Sequence, residues 1–177
     1  MTDDHRAVIA ALGLEPLPVE GGLFRQIWQS PDRGVDGRPL GTSILAAFTD
    51  EVDSFSAMHR LPSTEIWHAA YGDPIRLLLL SADGTVSEPV LGREVLAGQH
   101  LQVVIPAGTW MGASLVSGGS FGVFGTTMAP GFVESDYEGG VAEMLVTQWP
   151  SAADRIRSLC RSDGPVRIDH ALKTVFD

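Results

Sequence analysis

A chain of 177 residues can enclose a full hydrophobic core in one domain, and its 44% apolar and 19% charged content is ordinary globular usage. The net charge of −10 excludes the basic stripe that nucleic acid requires and disfavours docking on anionic membranes; it reads as serving solubility. The single cysteine, Cys160, can form no internal disulfide, so nothing ties the chain to an oxidising compartment; with no histidine-rich motif beside it, it reads as a buried or partly covered thiol.

Taken in order, residues 3–12 predict a short helix, with acids in its first turn, Val8, Ile9 and Leu12 on one face, and Gly13 placed to end it. The opening Thr2-Asp3-Asp4-His5-Arg6 lacks the basic-then-apolar order of a signal peptide. The longest strongly apolar run, Leu77 to Leu80, is too short to span a bilayer, so a cytoplasmic protein is expected. Pro16 and Pro18 impose an extended linker into Glu20-Gly21-Gly22, a turn or bulge.

Short apolar runs bounded by Gly, Pro, Asp or Ser then predict strands at 23–29, 41–48, 55–59, 65–71, 75–81, 85–91, 101–105, 111–116 and 121–128. Twenty glycines and eleven prolines suit the many tight turns such a fold needs. Asp83-Gly84 is a two-residue hairpin signal. The expected architecture is an antiparallel all-β sandwich or barrel forming a single domain over 1–177, with its barrel core at about 20–150. Beyond Pro130-Gly131-Phe132 the chain reads as acidic and irregular. A helix is expected to start near Pro150, with Ser151 capping and Asp154 answering it. Residues 161–177 have mixed polarity and predict no element.

The densest chemically able cluster is the segment from His59 to His68. A histidine ending one strand and a glutamate starting the next can converge inside a barrel. His59 and Glu65 could then work as an acid–base pair, the carboxyl tuned by an apolar pocket, or as two metal ligands. Alternation puts Glu65 and Trp67 on one face and Ile66 and His68 on the other, so His68 joins the site only if a bulge re-aims it. A second wall is expected from 100–111. There Gln102 is a candidate ligand-orienting amide, and Trp110 and Met111 are core or pocket lining. His100 is expected to be exposed. The acids Glu134, Asp136 and Glu138 read as a solvated loop, and His5 and His170, near the termini, are given no specific task.

Several landmarks now stand in a recognisable order: Glu20-Gly21-Gly22 with Phe24-Arg25, Thr42-Ser43-Ile44, His59-Arg60 and Glu65-Ile66-Trp67-His68. Gly72-Asp73-Pro74, Gly98-Gln99, Pro106-Ala107-Gly108-Thr109-Trp110 and Ala129-Pro130-Gly131-Phe132 follow. Spanning roughly 14–150, they resemble the fifth cupin family. The resemblance implies a double-stranded β-helix (jelly-roll) barrel, a homodimer, and a pocket in the barrel mouth that takes a small molecule. It does not choose an activity, because cupins include metal-dependent enzymes, metal-free isomerases and non-catalytic binders. The metal-cupin pattern wants a second histidine where this chain has Leu61 and another where it has Met111. A divalent metal ion held by His59, Glu65 and His68 is therefore one expectation. Acid–base isomerase, epimerase or lyase chemistry on a sugar-like or hydroxy-carbonyl substrate is another, and ligand binding without catalysis is a third.

Overall fold

Alternation of side chains decides the architecture. In the computed structural model, which describes residues 2–17, 19–162 and 164–168, the chain runs α1 (Asp3–Leu12), β1 (Glu15–Pro16), β2 (Leu23–Gln29), β3 (Thr42–Thr49), β4 (Ser56–Arg60), β5 (Glu65–Gly72) and β6 (Ile75–Leu80). It continues β7 (Val86–Ser87), β8 (Val90–Leu91), β9 (Gln102–Ile105), β10 (Trp110–Leu115), β11 (Phe121–Met128), β12 (Glu138–Gly139), α2 (Ala142–Gln148) and α3 (Ala153–Ser158). One sheet has the order β1-β2-β3-β11-β5-β9; the other has β12-β4-β10-β6-β7, with β8 also on β6. Every ladder between these strands is antiparallel, with one isolated parallel bridge from Leu91 to His100, and the two sheets close face to face as a jelly roll.

The space between the sheets is filled by Phe24, Phe48, Trp67, Leu77, Leu79, Ile105, Met111 and Phe124, with Trp67 stacked on Phe124 at 4.4 Å. β6 explains its own unbroken leucines. Leu77 and Leu79 point into the barrel, while Leu78 and Leu80 point outward beneath Leu145, Trp149, Ile156 and Leu159 of the C-terminal helices. Both faces are therefore apolar. On the other sheet, Val8, Ile9 and Leu12 of α1 pack over Ala47, Phe121 and Val123. α1 starts in a reciprocal cap between Thr2 and His5, and the His5 ring stacks on Phe121, so that histidine has a structural task.

Several expectations need correction. The predicted strand at 85–91 is two short strands, because Pro89 has no N–H to give a ladder. Residues 142–148 form a helix that no start signal announces: Val141 stands at its N-cap and makes no side-chain cap bond. Ser151 does not cap either, as it lies inside a short 3₁₀ turn that leads into α3. The acid run is not a solvated loop. Asp136 is buried and bound by Arg38, Glu138 pairs with Arg60 at 2.8 Å, and Glu134 reaches a cavity wall. His170 lies outside the described residues. Among those residues, no helix is long and apolar enough to cross a membrane.

Candidate active site

A cavity of about 790 Å³ opens at one end of the barrel. Its floor is made by Glu65, Glu20 and Thr126, and its walls include Phe24, Trp28, Leu61 and Phe132. Glu65 is delivered there by register. It stands opposite Met128 on β11 and Ile105 on β9, so it shares the inward face with Trp67 and is only 6% exposed. Trp67 Nε1–H donates to Glu65 Oε2 at 2.9 Å, and the Thr126 hydroxyl adds a second bond. Burial drives the Glu65 carboxyl pKa up. The His59 charge and the Trp67 bond oppose that shift, and Glu20 adds to it. A carboxyl held this way keeps its proton to higher pH than an exposed glutamate does.

His59, at 1% exposure, stands directly behind this floor. It is paired with Met111 across β4 and β10 and stacked on the Tyr137 ring at 5.5 Å. Its Nδ1 lies 2.8 Å from the Ala57 carbonyl, which can only accept, so Nδ1 carries the hydrogen. Nε2 is thereby turned to Glu20 Oε2 at 3.8 Å, an ion-pair separation rather than a hydrogen bond. Tyr137 has its hydroxyl pKa raised, first by burial and then by Glu20. Glu20, Glu65 and His59 therefore form one electrostatically linked group, with the two carboxylates on the cavity side.

Glu20 was missed by sequence reasoning, although the Glu-Gly-Gly signal was visible. Its main-chain carbonyl accepts from Ala57 N–H at 2.7 Å, which pins it to β4. The glycines make that approach possible. Gly21 has φ +100°, and a Cβ there would lie 2.4 Å from the Phe55 carbonyl oxygen; one on Gly22 would meet the Ala47 carbonyl oxygen at 2.8 Å. Arg161, arriving after α3, covers this turn by donating to the Asp53 carbonyl and lying over the Phe55 ring at 5.2 Å. Thr126, Phe24, Trp28 and Phe132 were also unassigned; nothing in their local sequence separates a cavity wall from a core.

The remaining predicted site residues lie elsewhere. β5 has no bulge between 65 and 68 against β9, so His68 keeps its outward parity: its Nε2 meets Thr127 Oγ1 at 3.0 Å and its Nδ1 accepts from Gln102 Nε2 at 3.0 Å. Gln102 is exposed on that same outer face, because the β9 register turns Val103 and Ile105 inward with Trp67 and Glu65. Trp110 faces outward under the C-terminal helices, with the Arg60 guanidinium 4.7 Å above its ring. Trp67 and Met111 are inside the barrel, but as packing around the floor rather than cavity lining. Cys160 is half-buried, and burial pushes its thiol up to about 11, as fits a covered thiol.

The metal expectation can be tested on these side chains. Among the described residues, no three His, Cys, Asp or Glu side chains converge to hold an ion. Leu61 and Met111 put apolar groups beside His59, and His68 is on the far side of the sheet. The donor set does not fit a divalent metal, so no step is derived through one.

Comparison with known proteins follows the same lines. A protein of Shewanella oneidensis whose crystal structure is known superposes with a TM-score of 0.80 at 28% identity, covering 91% of this chain and 98% of its own. A hypothetical protein from Leishmania major gives 0.80 at 24% identity, covering 89% and 98%. Oxalate decarboxylase of Bacillus subtilis shares only the fold, at 13% identity and a TM-score of 0.54, covering 93% of this chain and 42% of its own. No curated protein matches the chain. The model of the cupin superfamily family Cupin_5 (DUF985) matches residues 6–139, and with most of its length so matched the chain belongs to that family.

Proposed function

We propose that this cupin is an enzyme of acid–base chemistry, with Glu65 as the group that gives and takes the proton. The carrying observation is a carboxyl that is buried, raised in pKa by that burial and yet on the floor of a cavity large enough for a sugar-sized molecule. Isomerisation, epimerisation or dehydration of a hydroxy-carbonyl compound each require one well-placed proton shuttle, and a tuned carboxyl supplies it. His59 does not line the cavity. It acts behind Glu65 and Glu20, its Nε2 facing Glu20 and its charge opposing the rise in the Glu65 pKa. Trp67 and Thr126 fix the carboxyl in one orientation.

The test works before any substrate has been identified. The chain is incubated in D₂O with pools of aldoses, ketoses and hydroxy acids, and mass spectrometry looks for one-dalton gains at carbon. Exchange that falls by about 10²–10⁴-fold in Glu65→Gln supports the assignment. Exchange that survives in Glu65→Gln removes Glu65 from the role, and no exchange with any pool favours a binding protein.

A further inference from the structure

We infer that the cavity accepts ligands whose inner end is a neutral or positively charged hydrogen-bond donor, a hydroxyl or an ammonium, and rejects those that lead with a carboxylate or phosphate. This rests on the reading above that the cavity is the working site, and it names the class of molecule that fits. The charges are unevenly placed. Toward solvent the lining is balanced, with exposed Arg25 and Arg33 against exposed Glu15 and half-buried Glu134. At the floor the balance is lost, because Glu20 and Glu65 are both carboxyls and, among the described residues, the cationic side chains lining the cavity are the exposed Arg25 and Arg33.

Among the described residues, the donors next to Glu65 are already committed. The Trp67 indole N–H and the Thr126 hydroxyl are already committed to Glu65. The imidazole Nδ1–H is committed to the Ala57 carbonyl, and Nε2 is aimed at Glu20. What remains on offer is the lone pairs of the Glu20 carboxylate and the Glu65 carboxyl, whose one exchangeable proton is the proton of the proposed reaction. Buried acceptors select donors, and an unpaired anion placed beside them has like charge at close range in a poorly hydrated space. The likeness to an oxalate decarboxylase is thus one of barrel shape; a dianion such as oxalate meets the wrong charge here.

The floor carries its own reporter. Of the four tryptophans, Trp67 bonds Glu65 directly and Trp28 lines the cavity wall, so their indole N–H resonances read the inner and outer parts separately. The ¹⁵N-labelled full chain is titrated at constant ionic strength with glucosamine, glucose, glucuronate and oxalate, the first three holding one ring while charge passes from positive to negative. Glucosamine and glucose shifting the Trp67 indole signal, at least tenfold tighter than glucuronate or oxalate, is the expected result. Glu20→Gln should shrink that ratio, while Glu51→Gln, exposed and outside the cavity lining, should hold it within about twofold. Glucuronate or oxalate moving the Trp67 signal with equal or greater affinity overturns the charge rule and leaves the cavity as the site. If no member of the series moves either indole, both the rule and the reading beneath it fall.

Discussion

Glu65 and His68 belong to the same strand, β5, yet they have opposite fates. Glu65 goes inward, loses its water and is left with Trp67, Thr126 and the His59–Glu20 pair. His68 goes outward and forms a small chain with Gln102 and Thr127 at the surface of the same sheet. Both are polar groups with satisfied hydrogen bonds. What separates them is parity, since a strand offers its residues alternately to two environments of very different dielectric. Burial raises the pKa of the inward carboxyl, whereas the outward imidazole is held by two hydrogen bonds on the outer face of the sheet.

That contrast can be broken or sharpened by substitution. Beyond the loss of exchange expected of Glu65→Gln, the largest stability effect belongs to Arg38→Ala. The guanidinium binds Asp136 through both of its amino nitrogens, one of them at 2.9 Å, and its removal strands a carboxylate whose side chain is nearly sealed from water. A loss of about 3 kcal/mol in urea unfolding is expected, and a loss below ~1 kcal/mol would show that Asp136 finds water instead. Gly21→Ala follows, costing about 2 kcal/mol through its positive φ and the clash with Phe55. It should weaken ligand binding as well, because Glu20 moves with the turn.

The next effect is one of pH. Burial raises the folded-state pKa of Glu65 above its unfolded value, so between the two the folded chain holds the extra proton. Wild-type stability then drains away as pH rises through the folded pKa, whereas Glu65→Gln has no such proton to lose. Thermal melts should show the variant gaining on wild type from pH 4 to pH 8; a constant gap would mean that Glu65 ionises freely. The smallest effect is His68→Ala, at most about 1 kcal/mol for a surface hydrogen bond, with exchange unchanged. A drop in exchange comparable to that of Glu65→Gln would erase the inward–outward distinction.

Much of this is legible in the sequence, for a physical reason. β2 and β11 match their predicted bounds because both are framed by turn-formers, and α1 matches because Gly13 ends it in a left-handed cap. Alternation along β5 correctly separates Glu65 and Trp67 from His68. It fails at Gln102, where 101–105 has apolar residues on both parities and only pairing with β5 decides which face turns inward. Helix α2 is hidden because Val141, Val146 and Thr147 are poor helix signals, and the helix exists by burying Leu145 against the outer sheet. The acid run misleads because two of its three acids find their partners far away in sequence. Asp136 meets Arg38 and Glu138 meets Arg60, and no local pattern encodes such distant matches.

The outward leucines of β6 have a consequence for anyone who trims the chain. The family pattern stops at 139, just before α2 and α3 begin. A fragment cut at that point would keep the whole cavity on paper, but it would lay bare Met58, Leu78, Leu80 and Trp110 as one contiguous greasy stripe on the back of the barrel. It would also strip the outer edge of β4, since Met58 N–H donates to the Leu159 carbonyl and the Met58 carbonyl receives Gly140 N–H. An unsheathed apolar strip next to a strand edge with open hydrogen-bonding groups is a recipe for sheet-to-sheet clumping. The smallest unit of this protein that keeps its outer sheet covered therefore extends past the stretch by which its kinship is recognised.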